Sequence, residues 1–256
     1  MALIGLVTYC TQENKKFEML KKTLQSLRFT VDLSRHRVYI FDNSPDHNIR
    51  KEVLLLVHGF GFNYLTEGEN LGTARGINRI WKDRKPNEHC VKMDDDVVIH
   101  EIGWADQLES AIGNMNEIGI IGLKRKDCWE HPLHENPDFK SELIYVQPLI
   151  TQKWVVIEKV NHVIGTCQMY NSALLDKIGY LYQIGLYGYD DVLASHRSKI
   201  AGFINCFLPH IEIDHIDDGA TPYQGWKEQT SGAIGQEIRT LIHKYYQTKE
   251  VHHDFY

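Results

Sequence analysis

No apolar run in the 256 residues reaches the roughly 18–20 needed for a bilayer-crossing helix, so no membrane-spanning helix is expected. Positive charge is not in surplus either: 28 Lys and Arg face 34 Asp and Glu, a formal net charge of −6 at pH 7. Coating of duplex nucleic acid through bulk positive charge is therefore disfavoured, although a local contact is not excluded. Cysteine is sparse. Cys10, Cys90, Cys128, Cys167 and Cys206 are odd in number, widely spaced and form no CxxC pair. That argues against structural zinc or a disulfide framework and for a reducing, cytoplasmic setting. Met1-Ala2-Leu3-Ile4-Gly5 enters a strand pattern without a basic leader, so no secretory signal is expected. Proline is scarce, and there is no Gly/Ser-rich tract or internal repeat, so one domain over 1–256 is expected.

What is present is an alternation of strand and helix patterns. The apolar run Leu3 to Tyr9 reads as a buried strand. Residues 13–28 follow as a helix with Phe17, Leu20, Leu24 and Leu27 on one face and lysines on the other. A second strand, 37–41, is stopped by the turn cluster Asp42-Asn43-Ser44-Pro45-Asp46. Then come a helix over 48–58, a short strand at 62–65, a helix over 72–82, and Cys90-Val91-Lys92-Met93 leading into Asp94-Asp95-Asp96 and Val97-Val98-Ile99. Four such steps predict an α/β fold with a mainly parallel, Rossmann-like sheet sandwiched by helices. Ligands in such sheets lie beyond the carboxyl ends of the strands, where Asp42, Asn70 and Asp94 all fall. The second half is less regular. Strands are expected at 118–123, 163–170 and within 203–213, helices at 172–178, 191–201 and 232–247, and an irregular excursion or hairpin over 124–160.

Four segments carry candidate chemistry. Three consecutive carboxylates, Asp94-Asp95-Asp96, repel one another unless a cation or solvent relieves them; at a strand end facing a cleft they suit a hard divalent ion such as Mg²⁺ or Mn²⁺. An isolated Asp triplet is equally the composition of a solvated turn. In Asn70-Leu71-Gly72-Thr73-Ala74-Arg75, Gly72 lets backbone approach a ligand, the following helix offers N–H groups to a phosphate, and Arg75 adds a cationic fork; a plain helix-start turn fits the same residues. Gly188-Tyr189-Asp190-Asp191 places glycine and aromatics beside two carboxylates, one of them a candidate general base and one a candidate helix cap. Alternation along His210-Ile211-Glu212-Ile213-Asp214-His215 sets His210, Glu212 and Asp214 on one face and Ile211, Ile213 and His215 on the other; His215, at the strand end, could join a metal site, although a lone histidine is more often a surface or core residue.

Taken in order, Thr8, Asp42-Asn43-Ser44, Asn70 to Asn78, the Asp triplet, Gly165-Thr166-Cys167-Gln168-Met169-Tyr170 and Gly188-Tyr189-Asp190-Asp191 with Arg197 resemble glycosyltransferases of the GT-A fold, most closely the family 2 type. The resemblance covers residues 3 to about 218. It implies a nucleotide-sugar-binding half in 1–100, a smaller mixed acceptor-side region in 101–231, and a C-terminal helix and tail in 232–256. It implies a nucleotide-diphosphate sugar donor, a UDP-sugar favoured. Thr8 and Asp42 would line the nucleoside pocket, and Asn70, Gly72 and Arg75 would border the base, ribose or pyrophosphate. Asp94, Asp95 and Asp96 match the family's DxD, with Asp96 on a Mn²⁺ or Mg²⁺ ion, Asp94 on the ribose or the ion's water shell, and Asp95 between them. His215 resembles a late metal ligand of some relatives, with His210 as runner-up. Asp191 would be the base of an inverting transfer, beside Asp190.

Two departures stand out. Asp190 replaces the family's usual Glu and is one methylene shorter, and Pro45 stiffens the turn after the second strand. The acceptor would be a glycan, a lipid-linked glycan or a nucleic-acid base, recognised within 124–160 and 218–231, where Lys124-Arg125-Lys126 stands with Trp129, Tyr145 and Trp154, and Tyr223-Trp226-Lys227 would be a loop that closes over the donor. A solvated loop over core aromatics fits those residues as well. Two alternative functions remain: a non-catalytic nucleotide-sugar or carbohydrate-binding module on the same fold, and a nucleotidyltransferase. The latter is disfavoured by the absence of Gly and Lys from Thr8-Tyr9-Cys10-Thr11-Gln12.

Overall fold

The computed structural model describes residues 1–128, 142–146, 155–217 and 222–254. The chain opens with β1 (Ala2–Thr8), α1 (Lys16–Thr30), β2 (Arg37–Asp42), α2 (His47–Gly59), β3 (Asn63–Leu65), α3 (Thr73–Trp81) and β4 (His89–Met93). β3, β2, β1 and β4 lie side by side in that order, all parallel. β1 is apolar at almost every position because both faces are covered: Ile4 and Leu6 belong to one core, Leu3 to the other. The turn cluster after β2 has a local function, since the Asp46 carboxylate accepts from Asn48 N at 2.7 Å and Ile49 N at 3.0 Å and so caps α2.

Beyond β4 the sheet ceases to be parallel throughout. After the Asp triplet come β5 (Val97–Ile99), α4 (Trp104–Asn114), β6 (Ile118–Arg125), β7 (Glu142–Val146), β8 (Val155–Val160), β9 (Cys167–Tyr170), α5 (Ser172–Ile178), α6 (Asp190–Ile200), β10 (Ile204–His215) and α7 (Pro222–Thr248). β9 slots between β4 and β6, antiparallel to both. β10 runs parallel to β6 and antiparallel to β8, and β7 and β8 form an antiparallel pair at the edge. The sheet is thus mostly parallel with antiparallel insertions. One core lies between the sheet and α1, α2 and α4, with Leu20, Leu24, Val53, Trp104 and Leu108. The other lies under α3, α5, α6 and α7, with Ile77, Trp81, Leu174, Leu193 and Ile238.

Several boundaries differ from expectation. α4 was not anticipated, although Trp104, Ala105, Leu108, Ala111 and Ile112 make an apolar stripe at helical spacing. The strand expected at 163–170 is formed only over β9, because residues 163–166 turn to meet the Asp triplet, with Asp94 N donating to Thr166 O at 3.0 Å. The excursion over 124–160 contains the β7–β8 pair. The expected C-terminal helix begins at Pro222, so the Tyr223-Trp226-Lys227 stretch is helical rather than a loop. Trp129, Trp154 and residues 218–221 lie outside the described residues.

Candidate functional site

A cleft of about 640 Å³ opens at the carboxyl ends of β1 and β4. Its floor is the Asp triplet, and its walls come from Asn70 and Gly72, from Gly165–Thr166, from residues 186–191, and from His215 and Trp226. The register explains why β10 contributes. Its end pairs with β5, the strand directly after the triplet, putting His215 opposite Val97. Ile216 N donates to Asp96 O at 2.9 Å, and His215 Nε2 sits 3.5 Å from Asp96 Oδ1. The alternation read from the sequence holds here, with Ile211 and Ile213 buried and His210 and Glu212 exposed. His210 instead bonds Gln107 Oε1 at 3.0 Å, away from the cleft lining.

The three aspartates fan apart. Asp94 is half-buried and meets Lys92 Nζ at 3.6 Å. Asp95 turns inward, where its Oδ2 accepts from Thr8 Oγ1 at 2.7 Å. Thr8 and Asp95 therefore line the cleft as bonded, buried partners. Asp96 contacts Lys16 Nζ through Oδ2, while its Oδ1 is buried with no hydrogen-bond partner. Burial raises the proton affinity of Asp94 and Asp95. At Asp96 burial acts the same way, but Lys16 and His215 outweigh it and hold the carboxyl below its usual range.

The opposite wall carries the second acid pair at the start of α6. Asp190 Oδ2 lies 3.1 Å from Lys92 Nζ, and burial pushes the Asp190 carboxyl up despite that cation. Asp191 behaves oppositely. Its Oδ2 accepts from Gly165 N at 2.9 Å and lies 3.2 Å from His162 Nε2, and its Oδ1 accepts from Val192 N at 2.8 Å. Burial would raise this carboxyl, but His162, Lys92 and the Val192 amide hold it well below the usual carboxylate range. Lys92 itself donates to Gly165 O at 3.1 Å. Burial favours its neutral form, yet Asp190, Asp94 and Asp191 keep it protonated far above the ordinary lysine range.

Two expected binding residues, Asp42 and Arg75, stand off the cleft lining. Asp42 is fully buried and off the cleft lining; Tyr64 Oη donates to its Oδ2 at 2.9 Å and Ser44 N to its Oδ1 at 2.8 Å. Its neighbour Asn43 reaches the cleft instead and clamps the 70–72 turn, donating to Gly72 O at 3.1 Å and accepting from Leu71 N at 2.9 Å. Arg75 is exposed on α3 and does not line the cleft. Two of the N–H groups at the start of α3 are already engaged: Thr73 N donates to Leu186 O at 3.3 Å and Ala74 N to Gln183 Oε1 at 3.1 Å. Gly72 is needed for that packing. Its φ of 80° is accessible to glycine, and a Cβ there would lie 2.6 Å from Leu186 O. The basic triplet is committed to ion pairs, with Lys124 buried against Glu158 at 2.7 Å, Arg125 on Asp127 and Lys126 on Asp214 at 2.7 Å.

Sequence reasoning missed Lys16, Lys92 and His162. Lys16 was assigned to the solvent face of its helix, but it stands four residues before Leu20 on the buried stripe and is 4% exposed. Its ammonium contacts Asp96 Oδ2, Asp217 Oδ2 at 3.1 Å and Asp95 Oδ1 at 3.5 Å. The signals were a lysine in register with an apolar stripe and, for Lys92, a lysine inside the apolar β4.

The donors facing the cleft fit a hard divalent ion in part: the unpartnered Asp96 Oδ1, His215 Nε2 beside it and the half-buried Asp94 carboxylate. They are not drawn into a closed set. Among the described residues, the group whose ligand atoms all lie within 4.8 Å of one another is His36, Asp106 and Glu109. That group already holds cations, since Arg35 pairs with both acids and the Met1 amino group contacts Glu109.

No family model matches the chain. Over 120 residues, 44% of this chain and 64% of the other, it is 27% identical to a Haemophilus influenzae protein described only as uncharacterized. Among solved structures it is similar to the mannosyltransferase PcManGT from Pyrobaculum calidifontis in complex with GDP-Man and Mn²⁺, with a TM-score of 0.63 at 12% identity, covering 88% of this chain and 59% of that one. GalNAc-T7 with UDP, GalNAc and Mn²⁺ follows at 0.60 and 10%, covering 84% and 43%. S. aureus TarS 1–349 in complex with UDP-GlcNAc gives 0.58 and 15%, covering 85% and 61%. The chain spans less than two thirds of the length of each of these proteins. Its fold is that of the GT-A glycosyltransferases. Among the described residues no helix is long and apolar enough to cross a membrane.

Proposed function

We propose that the chain is a divalent-metal-dependent glycosyltransferase that moves a sugar from a nucleotide-diphosphate sugar to an acceptor hydroxyl, with inversion at the anomeric carbon. The observation that carries this reading is one cleft lined by two sets of acids, Asp94 and Asp96 with His215, and Asp190 and Asp191, with Lys92 between Asp94 and Asp190. The first set would hold Mn²⁺ or Mg²⁺ through Asp96 Oδ1 and His215 Nε2, with Asp94 on the ribose or the ion's water shell. When bound, the ion would offset the charge that develops on the departing diphosphate.

In the transfer, the acceptor oxygen forms a bond to the anomeric carbon as the bond from that carbon to the phosphate oxygen breaks. The hydroxyl proton passes to Asp191. A carboxylate held this far into its ionised form is a poor base toward a resting alcohol, so the proton moves late, when bond formation has acidified the hydroxyl. Gly165 N, Val192 N and His162 fix the Asp191 carboxylate in orientation. The fold neighbours crystallised with GDP-Man, UDP and UDP-GlcNAc support a nucleotide-sugar donor, a UDP-sugar favoured. The acceptor is a glycan, a lipid-linked glycan or a nucleic-acid base, bound from the 101–231 side.

The test is incubation with Mn²⁺ and UDP-, GDP-, CDP- and TDP-sugars, reading nucleotide binding and slow donor hydrolysis. Asp96→Asn and Asp191→Asn are each expected to lower turnover by about 10²–10⁴-fold. Failure to bind any of the four nucleotides overturns the reading. Nucleotide binding with no turnover, unchanged by either substitution, would instead identify a binding module.

A further inference from the structure

Lys16 has no part in the scheme above, yet it occupies the centre of the acidic floor. It is the first residue of α1, so the positive end of the helix adds to its charge at the same point. Its ammonium is shared by Asp95, Asp96 and Asp217, with Lys227 Nζ a further 3.6 Å from Asp217 Oδ2. It consumes one of the two Asp96 oxygens. The other, Oδ1, is buried, has no hydrogen-bond partner and lies in the cleft wall beside His215. The protein thus presents few free donors to a divalent ion, which takes about six oxygen ligands, and sets a fixed positive charge one carboxylate away.

We propose that Lys16 is a resident counter-cation: it is the charge shared by the three carboxylates and keeps the affinity for a divalent ion alone low, so that the ion binds strongly only along with a nucleoside diphosphate whose oxygens complete its shell. The inference rests on the reading of this cleft as a metal–diphosphate site. It makes Lys16 a determinant of metal affinity and of the coupling between metal and nucleotide, in addition to its structural contribution.

Titration with MnCl₂, followed by the electron paramagnetic resonance of free Mn²⁺, tests it on the full chain, first alone and then with UDP or GDP. The unaltered protein is expected to bind Mn²⁺ weakly alone and at least tenfold more tightly with whichever nucleotide it accepts. Lys16→Met is expected to bind Mn²⁺ alone at least tenfold more tightly than the unaltered protein, with smaller coupling to nucleotide, and its thermal midpoint should rise more on adding MnCl₂. Lys16→Arg, which keeps the charge, should resemble the unaltered protein. Because three carboxylates left together can unfold the site, the charge-balanced Lys16→Met/Asp217→Asn protein is titrated in parallel and should also gain Mn²⁺ affinity. Equal or weaker Mn²⁺ binding by both Met variants overturns the proposal. So does failure to recover either of them folded from buffer containing MnCl₂, since the ion is expected to take the ammonium's place. Absence of nucleotide binding by the unaltered protein overturns the glycosyltransferase reading, while the MnCl₂ titration alone still decides the role of Lys16.

Discussion

Gly72→Ala isolates the contact that shapes one wall of the cleft. Gly72 has φ 80° and ψ −179°, a region essentially restricted to glycine, so any side chain there costs of order 1–3 kcal/mol in backbone strain. The added Cβ would stand 2.6 Å from Leu186 O and 2.8 Å from Leu186 Cα, both backbone atoms that cannot rotate away. Relief requires the 186–189 segment to retreat, which breaks the 3.3 Å bond from Thr73 N to Leu186 O and removes about 0.5–1.5 kcal/mol. The sum is roughly 2–4 kcal/mol, or roughly 4–16 °C in thermal midpoint for a chain of this size. The control is Gly202→Ala, where φ is 89° and nothing lies within 4 Å of the added Cβ, so that strain acts without a clash. Urea unfolding of both, with nucleotide affinity measured in parallel, separates the contributions. The reasoning fails if Gly72→Ala costs no more than Gly202→Ala, or if it costs the expected amount and leaves nucleotide affinity untouched, since Leu186 to Asp191 line the cleft.

Two further outcomes concern the C-terminal clasp. Arg197 is fully buried and donates to Val251 O at 2.8 Å, to Tyr180 O at 2.9 Å and to Ile178 O, so Arg197→Met should cost about 3–5 kcal/mol in urea unfolding and open residues 249–254 to proteolysis. His253 is packed against Tyr245 and Tyr182, and burial, reinforced by Arg197, lowers its pKa from 6.5 to about 4. The folded protein then takes up this proton less readily than the unfolded chain, so the stability from this group is full above pH 6.5 and is lost as pH falls from 6.5 toward 4. Discounted for its partial exposure, the loss is about 1–2 kcal/mol, and His253→Phe should flatten the stability profile in that window.

The parallel half of the fold was legible because each strand there is covered on both faces and each helix carries its own apolar stripe, so that local patterning and tertiary environment agree. The insertion of β9 between β4 and β6 was not legible, because a short buried strand such as Cys167-Gln168-Met169-Tyr170 does not encode the direction in which it pairs. In the site, His215 is preferred over His210 from the sequence by resemblance alone; alternation separates their faces but does not say which face meets Asp96, and the pairing of β10 with β5 is what sets His215 beside it. Lys16 and Lys92 were missed for a related reason. A buried lysine reads as a surface residue unless the acids that compensate it are known, and here those acids come from distant positions, Asp217 for one and Asp190 for the other.

Those two lysines divide the charge of the cleft into separate groups. Lys92 ties Asp94 to Asp190 and also favours the ionised form of Asp191, Lys16 ties Asp95 and Asp96 to Asp217, and the Asp191 carboxylate is oriented by His162 and two backbone amides. The fan of the triplet makes this possible, since the side chains leave the end of β4 in different directions, Asp94 toward Lys92 and Asp95 and Asp96 toward Lys16. A cation added beside Asp96 therefore acts on the Lys16 group and on Asp94 together, and through Asp94 and Lys92 it is coupled to the acids of α6. Under the proposed function, the bonds from Gly165 N and Val192 N and the His162 contact let Asp191 keep its orientation and ionised form while the leaving-group side changes charge during transfer.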